Sequence, residues 1–263
     1  MGGNIRGTSG NYIREEEGDR IENQPGDEHA SARRGTNPRN SRRAVTHDRA
    51  NGFDGTRYVD AGLSGIVGIV GQPGTGKSFL MSDLIRQCRR VIVVDTVHQY
   101  GNGPRQNKLP GFVPVQSLRE LIAYWSKVRQ KNFRICYKPG MNLEAEFDGV
   151  ARLTLEVRDC VFAIDEVWNY CEAGWMPPPL EFMARAGRHR GITTIYTGQR
   201  PAIIAADLRS VTNHWKIFRM KSQLDLKAMQ GLVPPEALAR VPSLPDRVHI
   251  TSNDSFDWKE VGR

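Results

Sequence analysis

From about residue 61 onward the chain alternates short apolar runs with segments whose apolar residues recur at helical spacing. Apolar runs bounded by Gly, Asp or Asn predict buried strands, and the i, i+3, i+4 segments between them predict helices packed across those strands. Ser64 to Val70 reads as a Gly/Ile/Val strand that leads into a glycine-rich loop. A helix is expected over 78–90, with Leu80, Met81, Leu84, Ile85 and Cys88 on one face, and then a buried strand over 91–94 that ends at Asp95. A second helix is expected over 117–129. Ser117 and Glu120 form a capping box at its start, and Leu118, Leu121, Ile122 and Trp125 make its apolar face. Further strands are predicted over 133–137, 161–164, 193–196 and 215–218. Strands alternating with crossover helices give an α/β fold with a mostly parallel sheet and a site at the C-terminal ends of its strands. No internal repeat interrupts this order.

Residues 1–57 break the pattern. They are rich in Gly, Asn, Arg, Asp and Glu and hold almost no aliphatic side chains, so they cannot bury enough surface to offset the entropy of ordering. A disordered tail followed by one domain over 58–263 is the expected organisation, and a chain of 263 residues with 39% hydrophobic content suffices for it. The tail is polarised. Residues 1–30 carry three Arg against seven acids, whereas 31–50 carry Arg33, Arg34, Arg39, Arg42, Arg43 and Arg49 against Asp48 alone, which makes the second part a basic arm suited to nucleic acid or an acidic partner. A formal charge of +8 extends that attraction for polyanions to the whole chain. The four cysteines form no CxxC pair, no window is apolar enough to span a bilayer, and the N-terminus has no signal-peptide core. A soluble, reduced, cytoplasmic protein is therefore expected. Arg6 stands where a myristoylation motif needs Ser or Thr, and the histidines show no metal-ligand spacing.

Gly71-Gln72-Pro73-Gly74-Thr75-Gly76-Lys77-Ser78 is a phosphate-binding loop of the form GxxxxGK[ST]. Its glycines let backbone N–H groups curl around a β-phosphate, and the helix that follows presents its positive end. Lys77 reaches the β- and γ-phosphates, and the Ser78 hydroxyl ligates magnesium. The apolar strand before Asp165 and Glu166 places two carboxylates at a strand end. Asp165 is positioned to hold the magnesium through water and Glu166 to polarise the attacking water. Two adjacent acids favour hydrolysis over transfer, so ATP and Mg2+ are the expected cofactors. Gln199 ends the next strand, where an amide between the two tips can sense the γ-phosphate or orient the water. Beyond the acids, Trp168, Tyr170, Trp175, Met176 and Pro177 to Pro179 read as an apolar loop, either a cap over the core or a docking surface.

Asp165-Glu166, Gly187-Arg188-His189-Arg190-Gly191-Ile192, Gln199-Arg200-Pro201 and Phe218-Arg219 together resemble the FtsK/HerA superfamily of ring-forming, DNA-translocating ATPases over residues 62–230. Gly198 between Thr197 and Gln199 is a small departure that leaves the Gln in place. The resemblance implies a RecA-like core of the additional-strand, catalytic-Glu kind and assembly into a hexameric or pentameric ring. It also implies an arginine finger supplied in trans, with Arg188 as the first candidate and Arg219 as the second. With only a polar tail before the core, the chain resembles the small genome-packaging ATPases of double-stranded DNA viruses. Double-stranded DNA and a capsid or vertex protein are then the implied partners, and host cytoplasm or virion the implied location. A plasmid-transfer or filamentous-phage assembly ATPase is the alternative within the superfamily. A nucleotide-dependent switch or scaffold that leaves DNA alone is the alternative outside it.

Overall fold

The computed structural model describes residues 65–101, 107–129 and 131–262. The expected tail, its basic arm over 31–50 and Ser64 at the head of the first strand lie outside the described residues.

In chain order the elements are β1 (Ile66–Val70), α1 (Lys77–Arg86), β2 (Arg90–Val94), β3 (Val113–Val115), α2 (Leu118–Val128), β4 (Phe133–Tyr137), α3 (Leu143–Val157) and β5 (Cys160–Ile164). They continue as α4 (Pro178–Ala186), β6 (Ile192–Gly198), α5 (Ala206–Ser210), β7 (His214–Phe218), α6 (Gln223–Ala228), α7 (Pro235–Arg240), β8 (His249–Asn253) and β9 (Trp258–Val261). The strands form one sheet in the order β3-β4-β2-β5-β6-β1-β7-β8-β9. Pairing is parallel from β3 to β7 and antiparallel for β8 and β9. β6 therefore lies between the strand before the glycine loop and the strand before the acids, which is the additional strand the sequence led us to expect.

Both faces of the central parallel strands are covered, so β1, β2, β5 and β6 are buried along their whole length and alternate residues serve different layers. In β2, Val91 and Val93 join Met81 and Ile85 of α1, while Ile92 and Val94 join Leu121 of α2 and Phe147, Val150 and Ala151 of α3 on the opposite face. The antiparallel end is different in kind. β9 is mostly exposed, and in β8 only Ile250 is an apolar core residue.

Several expected boundaries move. α1 ends at Arg86, not at Arg90, because Arg90 already opens β2. Its guanidinium is buried at the N-terminal edge of the sheet, 3% exposed. It donates to the carbonyls of Asp159 (2.9 Å), Arg129 and Lys131 (3.1 Å each), and Val157 and Arg158 (3.3 Å each). Those carbonyls belong to the chain leaving α2 and α3, where helices run out of internal partners, and the same guanidinium lies 4.7 Å over the Phe133 ring. At α2 the Ser117 hydroxyl accepts the Glu120 N–H (3.2 Å), while the Glu120 carboxylate reaches back to the N–H of Gln116 (2.9 Å). The apolar loop read over 168–179 is a loop between the 3-10 turn Val167–Asn169 and α4, with Tyr170 and Met176 buried as a cap over the core; its last residues, Pro178 and Pro179, open α4, where a missing N–H costs nothing. Only Trp168 and Trp175 stay exposed among its large side chains.

Candidate functional site

The C-terminal ends of β1, β5, β6 and β7 meet at one edge of the sheet. The glycine loop leaves β1 there, and its first peptides are tied to neighbouring strand ends: Gly71 N–H to the Gly198 carbonyl (3.2 Å) and Gln72 N–H to the Arg219 carbonyl (3.0 Å). Gly71 has φ 148°, and a Cβ there would lie 2.6 Å from that of Phe218, so only glycine fits. Gly76, at φ 114°, turns the chain into α1. No side chain caps that helix and its first turn carries no acid, which leaves its N–H groups and positive end available to an anion. Within the loop the Thr75 hydroxyl donates to the Gln72 carbonyl (2.8 Å), and Lys77 Nζ donates to the same carbonyl (3.1 Å). Lys77 is only 5% exposed. Burial lowers its pKa from the ordinary value, while Glu166 and Asp165 pull it back up.

Asp165 is fully buried. Its Oδ1 accepts from the Thr197 hydroxyl (2.8 Å) and the Tyr100 phenol (3.4 Å), and its Oδ2 accepts from the Gln99 amide. Burial pushes this carboxyl up to about 6; the bonds from Gln99 and Thr197 work against the rise, and Glu166 and Asp95 add to it. Tyr100 also donates to the Ser78 carbonyl (3.5 Å), so one phenol spans the start of α1 and the acidic strand end. Burial raises its pKa well above the usual phenol value. Glu166 adopts the left-handed conformation, φ 53° and ψ 64°, which a non-glycine residue holds only against a cost. Its N–H donates to the Thr197 hydroxyl (2.8 Å), its Oε1 accepts from Gln199 Nε2 (2.9 Å), and its Oε2 accepts from Trp168 Nε1 (2.7 Å).

The oxygens of Ser78 and Asp165 suit a hard divalent cation, which keeps waters and shares itself between one or two protein ligands and substrate phosphates. An ionised Asp165 held in a dry site fits such an ion, since the ion offsets the desolvation that pushes the carboxyl up. Among the described residues no cluster of three His, Cys, Asp or Glu could form a closed metal cage.

Residues that sequence reasoning passed over complete the site. Asp95, at the end of β2, is fully buried, accepts the N–H groups of Gln99 (2.9 Å) and Tyr100 (3.1 Å), and is raised in pKa by burial. The Thr96 hydroxyl donates to the Asp165 carbonyl (3.0 Å). The one local signal was an acid at a strand end followed five residues later by a tyrosine. Beside the loop lies a cavity of about 380 Å³, lined by Gly74, Gly76, Phe79, Leu80, Phe218, Arg247 and His249 among others. The Arg247 N–H donates to the Thr75 carbonyl (3.1 Å), which fastens the approach to β8 onto the loop.

The two arginine candidates separate. Arg219 is tied within its own chain, Nη1 to the Leu244 carbonyl (3.1 Å) and Nη2 to Asp246. Arg188 is exposed in the 3-10 turn Gly187–Arg190 that precedes β6. That strand runs the full depth of the sheet, on the order of 20 Å, so Arg188 stands at the end opposite Gln199 and does not reach its own chain's loop. No helix among the described residues is long and apolar enough to cross a membrane.

Taken together, the additional strand, the glycine loop and the strand-end acids define a P-loop NTPase fold. That fold is shared with the genome-packaging NTPase B204 of Sulfolobus turreted icosahedral virus 2. Its ATP-gammaS complex matches with TM-score 0.60 and 17% identity over 75% of this chain and 96% of that one. Its sulfate complex matches with TM-score 0.61 and 17% identity over 76% and 98%. B204 from Sulfolobus turreted icosahedral virus, a DNA-packaging ATPase, matches with TM-score 0.56 and 18% identity over 74% and 96%. At such identities the likeness is one of fold. By sequence, no family profile and no curated protein matches the chain.

Proposed function

We propose that this protein is an ATP-hydrolysing DNA translocase, a genome-packaging motor that works as a ring. The observation that carries the hydrolytic part is the bond between Glu166 and Gln199 at 2.9 Å, beside a buried lysine and an uncapped helix start. The base occupies the cavity between α1 and β8, and the triphosphate lies along the loop with its β- and γ-phosphates toward Lys77. Ser78 and, through water, Asp165 would hold magnesium, which when bound would supply charge neutralisation at the phosphates. Glu166 accepts a proton from the water that attacks the γ-phosphate, and Gln199, bonded to Glu166 on one side, orients that water and senses the phosphate on the other. Lys77 stays charged and steadies the charge that builds on the transferred oxygens.

Translocation rests on the +8 charge of the chain, the fold shared with two packaging enzymes, and the position of Arg188 away from its own loop. A guanidinium that cannot serve its own site suits a neighbour's, and fingers of that kind are worth on the order of 10³ to 10⁵ in rate. The test is hydrolysis across protein concentration, with and without double-stranded DNA. Specific activity should rise as rings assemble, DNA should stimulate it, and the stimulation should fade with salt as counterion release predicts. Arg188→Ala and Lys77→Ala, each inactive alone, should recover some activity when mixed. Constant specific activity and no recovery would remove the ring. Hydrolysis indifferent to DNA would favour the switch or scaffold reading, for which exposed Trp168 and Trp175 offer a docking face.

A further inference from the structure

We propose that Trp168 is a positioning residue for hydrolysis: its indole N–H holds Glu166 in the orientation that receives the proton of the attacking water. This assignment rests on reading Glu166 as the group that acts on that water. A glutamate has three side-chain torsions, and left alone its carboxylate would sample many directions. Here both oxygens are claimed, and by donors on different elements. Gln199 Nε2 takes Oε1 from the end of β6 (2.9 Å), and Trp168 Nε1 takes Oε2 from the 3-10 turn Val167–Asn169 (2.7 Å). Two fixed donors on two oxygens set the plane of the carboxylate, while each oxygen keeps a lone pair for water.

The turn that carries Trp168 is itself held. Val167 is fully buried, the Asn169 N–H donates to the Glu166 carbonyl (3.0 Å), and the Tyr170 N–H donates to the Val167 carbonyl (2.9 Å). The left-handed backbone at Glu166, φ 53°, turns the chain from β5 into the 3-10 turn that carries Trp168, so the strained residue and the bond back to its carboxylate occur together. The indole is also an unusual donor to leave at a surface. Trp168 is 39% exposed, yet its N–H points inward to a residue that is 6% exposed. An apolar ring of this size placed for packing alone would be buried, and one placed for docking alone would not need its N–H spent on Glu166.

The decisive variant is Trp168→Phe, which keeps an aromatic ring and removes the donor. It should lower kcat for ATP on the order of ten-fold, as loss of a hydrogen bond to a charged group does, and leave KM and nucleotide affinity unchanged. The same substitution in a Glu166→Asp background should cost less than about two-fold, because the shorter carboxylate no longer reaches the indole. A structural role would lower both backgrounds equally and would move KM or the melting temperature. Wild-type kcat in Trp168→Phe, an equal loss in both backgrounds, or a loss confined to KM would each overturn the proposal. Should Trp168→Phe be normal while Glu166→Gln is inactive, the positioning role fails and hydrolysis stands. Should Glu166→Gln be as active as wild type, hydrolysis itself has been misassigned.

Discussion

Two buried cations sit at opposite ends of the same sheet, and they live under opposite conditions. Arg90, at the N-terminal edge, donates to five backbone carbonyls and lies on an aromatic ring. Lys77, at the C-terminal edge, makes one bond, to a carbonyl of its own loop. Arg90 is saturated by the fold, whereas Lys77 is paid for by the fold and left for something else. The same contrast extends to their neighbourhoods. Around Arg90 the buried charge closes the ends of α2 and α3. Around Lys77 stand two fully buried acids with raised pKa, a glutamate in the left-handed region and a helix start without a cap. Features that each cost stability collect where function needs them.

Substitution should break the two ends in different currencies. Lys77→Ala should abolish hydrolysis and weaken nucleotide binding by roughly a hundred-fold or more. It should leave the nucleotide-free protein as stable as before or more so, since a desolvated ammonium is gone. Calorimetric titration and a thermal melt on the same preparation report both. Arg90→Leu should do the reverse. It strands buried carbonyls and costs about 3–5 kcal/mol, a fall in melting temperature of roughly 6–20 °C for a domain of this size, with nucleotide affinity of the folded fraction intact. Equal stability losses in the two variants would dissolve the distinction.

A finer contrast is in pH. His249, packed 5.0 Å from the Phe218 ring, is held down to about 4 by burial and by Lys216. Its folded value is below its unfolded one, so its contribution to stability is present above about pH 6.5 and is lost as pH falls toward 4. Asp165 runs the other way. Its folded value is raised to about 6, so its contribution is present below about pH 4 and is lost as pH rises through 6. Each is worth up to about 3 kcal/mol. In the wild type the two oppose each other between pH 4 and 6. Denaturant titrations across that window should show His249→Gln losing stability as pH rises and Asp165→Asn losing it as pH falls. Identical pH slopes in the two variants would show that neither group carries the shift assigned to it.

The sequence made the parallel core readable because most buried strands are apolar runs and α1 and α2 carry apolar residues at helical spacing, although Ile122, expected on the packed face of α2, is exposed. Gly71 to Ser78, Asp165, Glu166 and Gln199 could be picked out as candidates because phosphate and water chemistry asks for those residue types next to strand ends, and the structure brings them to one edge of the sheet. Other parts had weaker local signals. β8 is polar at most positions because it lies near an edge, and β3 is three residues long. α4 begins on prolines that read equally well as a loop. α3 was missed although Leu143, Phe147, Val150, Ala151 and Thr154 lie at helical spacing, with Asn142 capping Ala145. Arg90 reads as the tail of a helix because nothing near it in sequence reveals the carbonyls of 129, 131 and 157–159. Tyr100 escaped for the same reason, and Trp168 was read only as part of an apolar loop: their hydrogen-bond partners are set by how the chain folds at the strand ends, which residue types alone do not reveal.

The central claim is that the C-terminal edge of the sheet binds a triphosphate with one set of residues and activates water with another. Glu166→Gln tests it most directly, because it keeps the shape of the site and removes only the group that accepts the proton. ATP affinity by calorimetry should stay within about three-fold of wild type, while turnover measured on the same sample should drop by about 10² or more, the usual weight of a general base. Turnover at the wild-type rate, or loss of ATP binding together with turnover, would contradict the account.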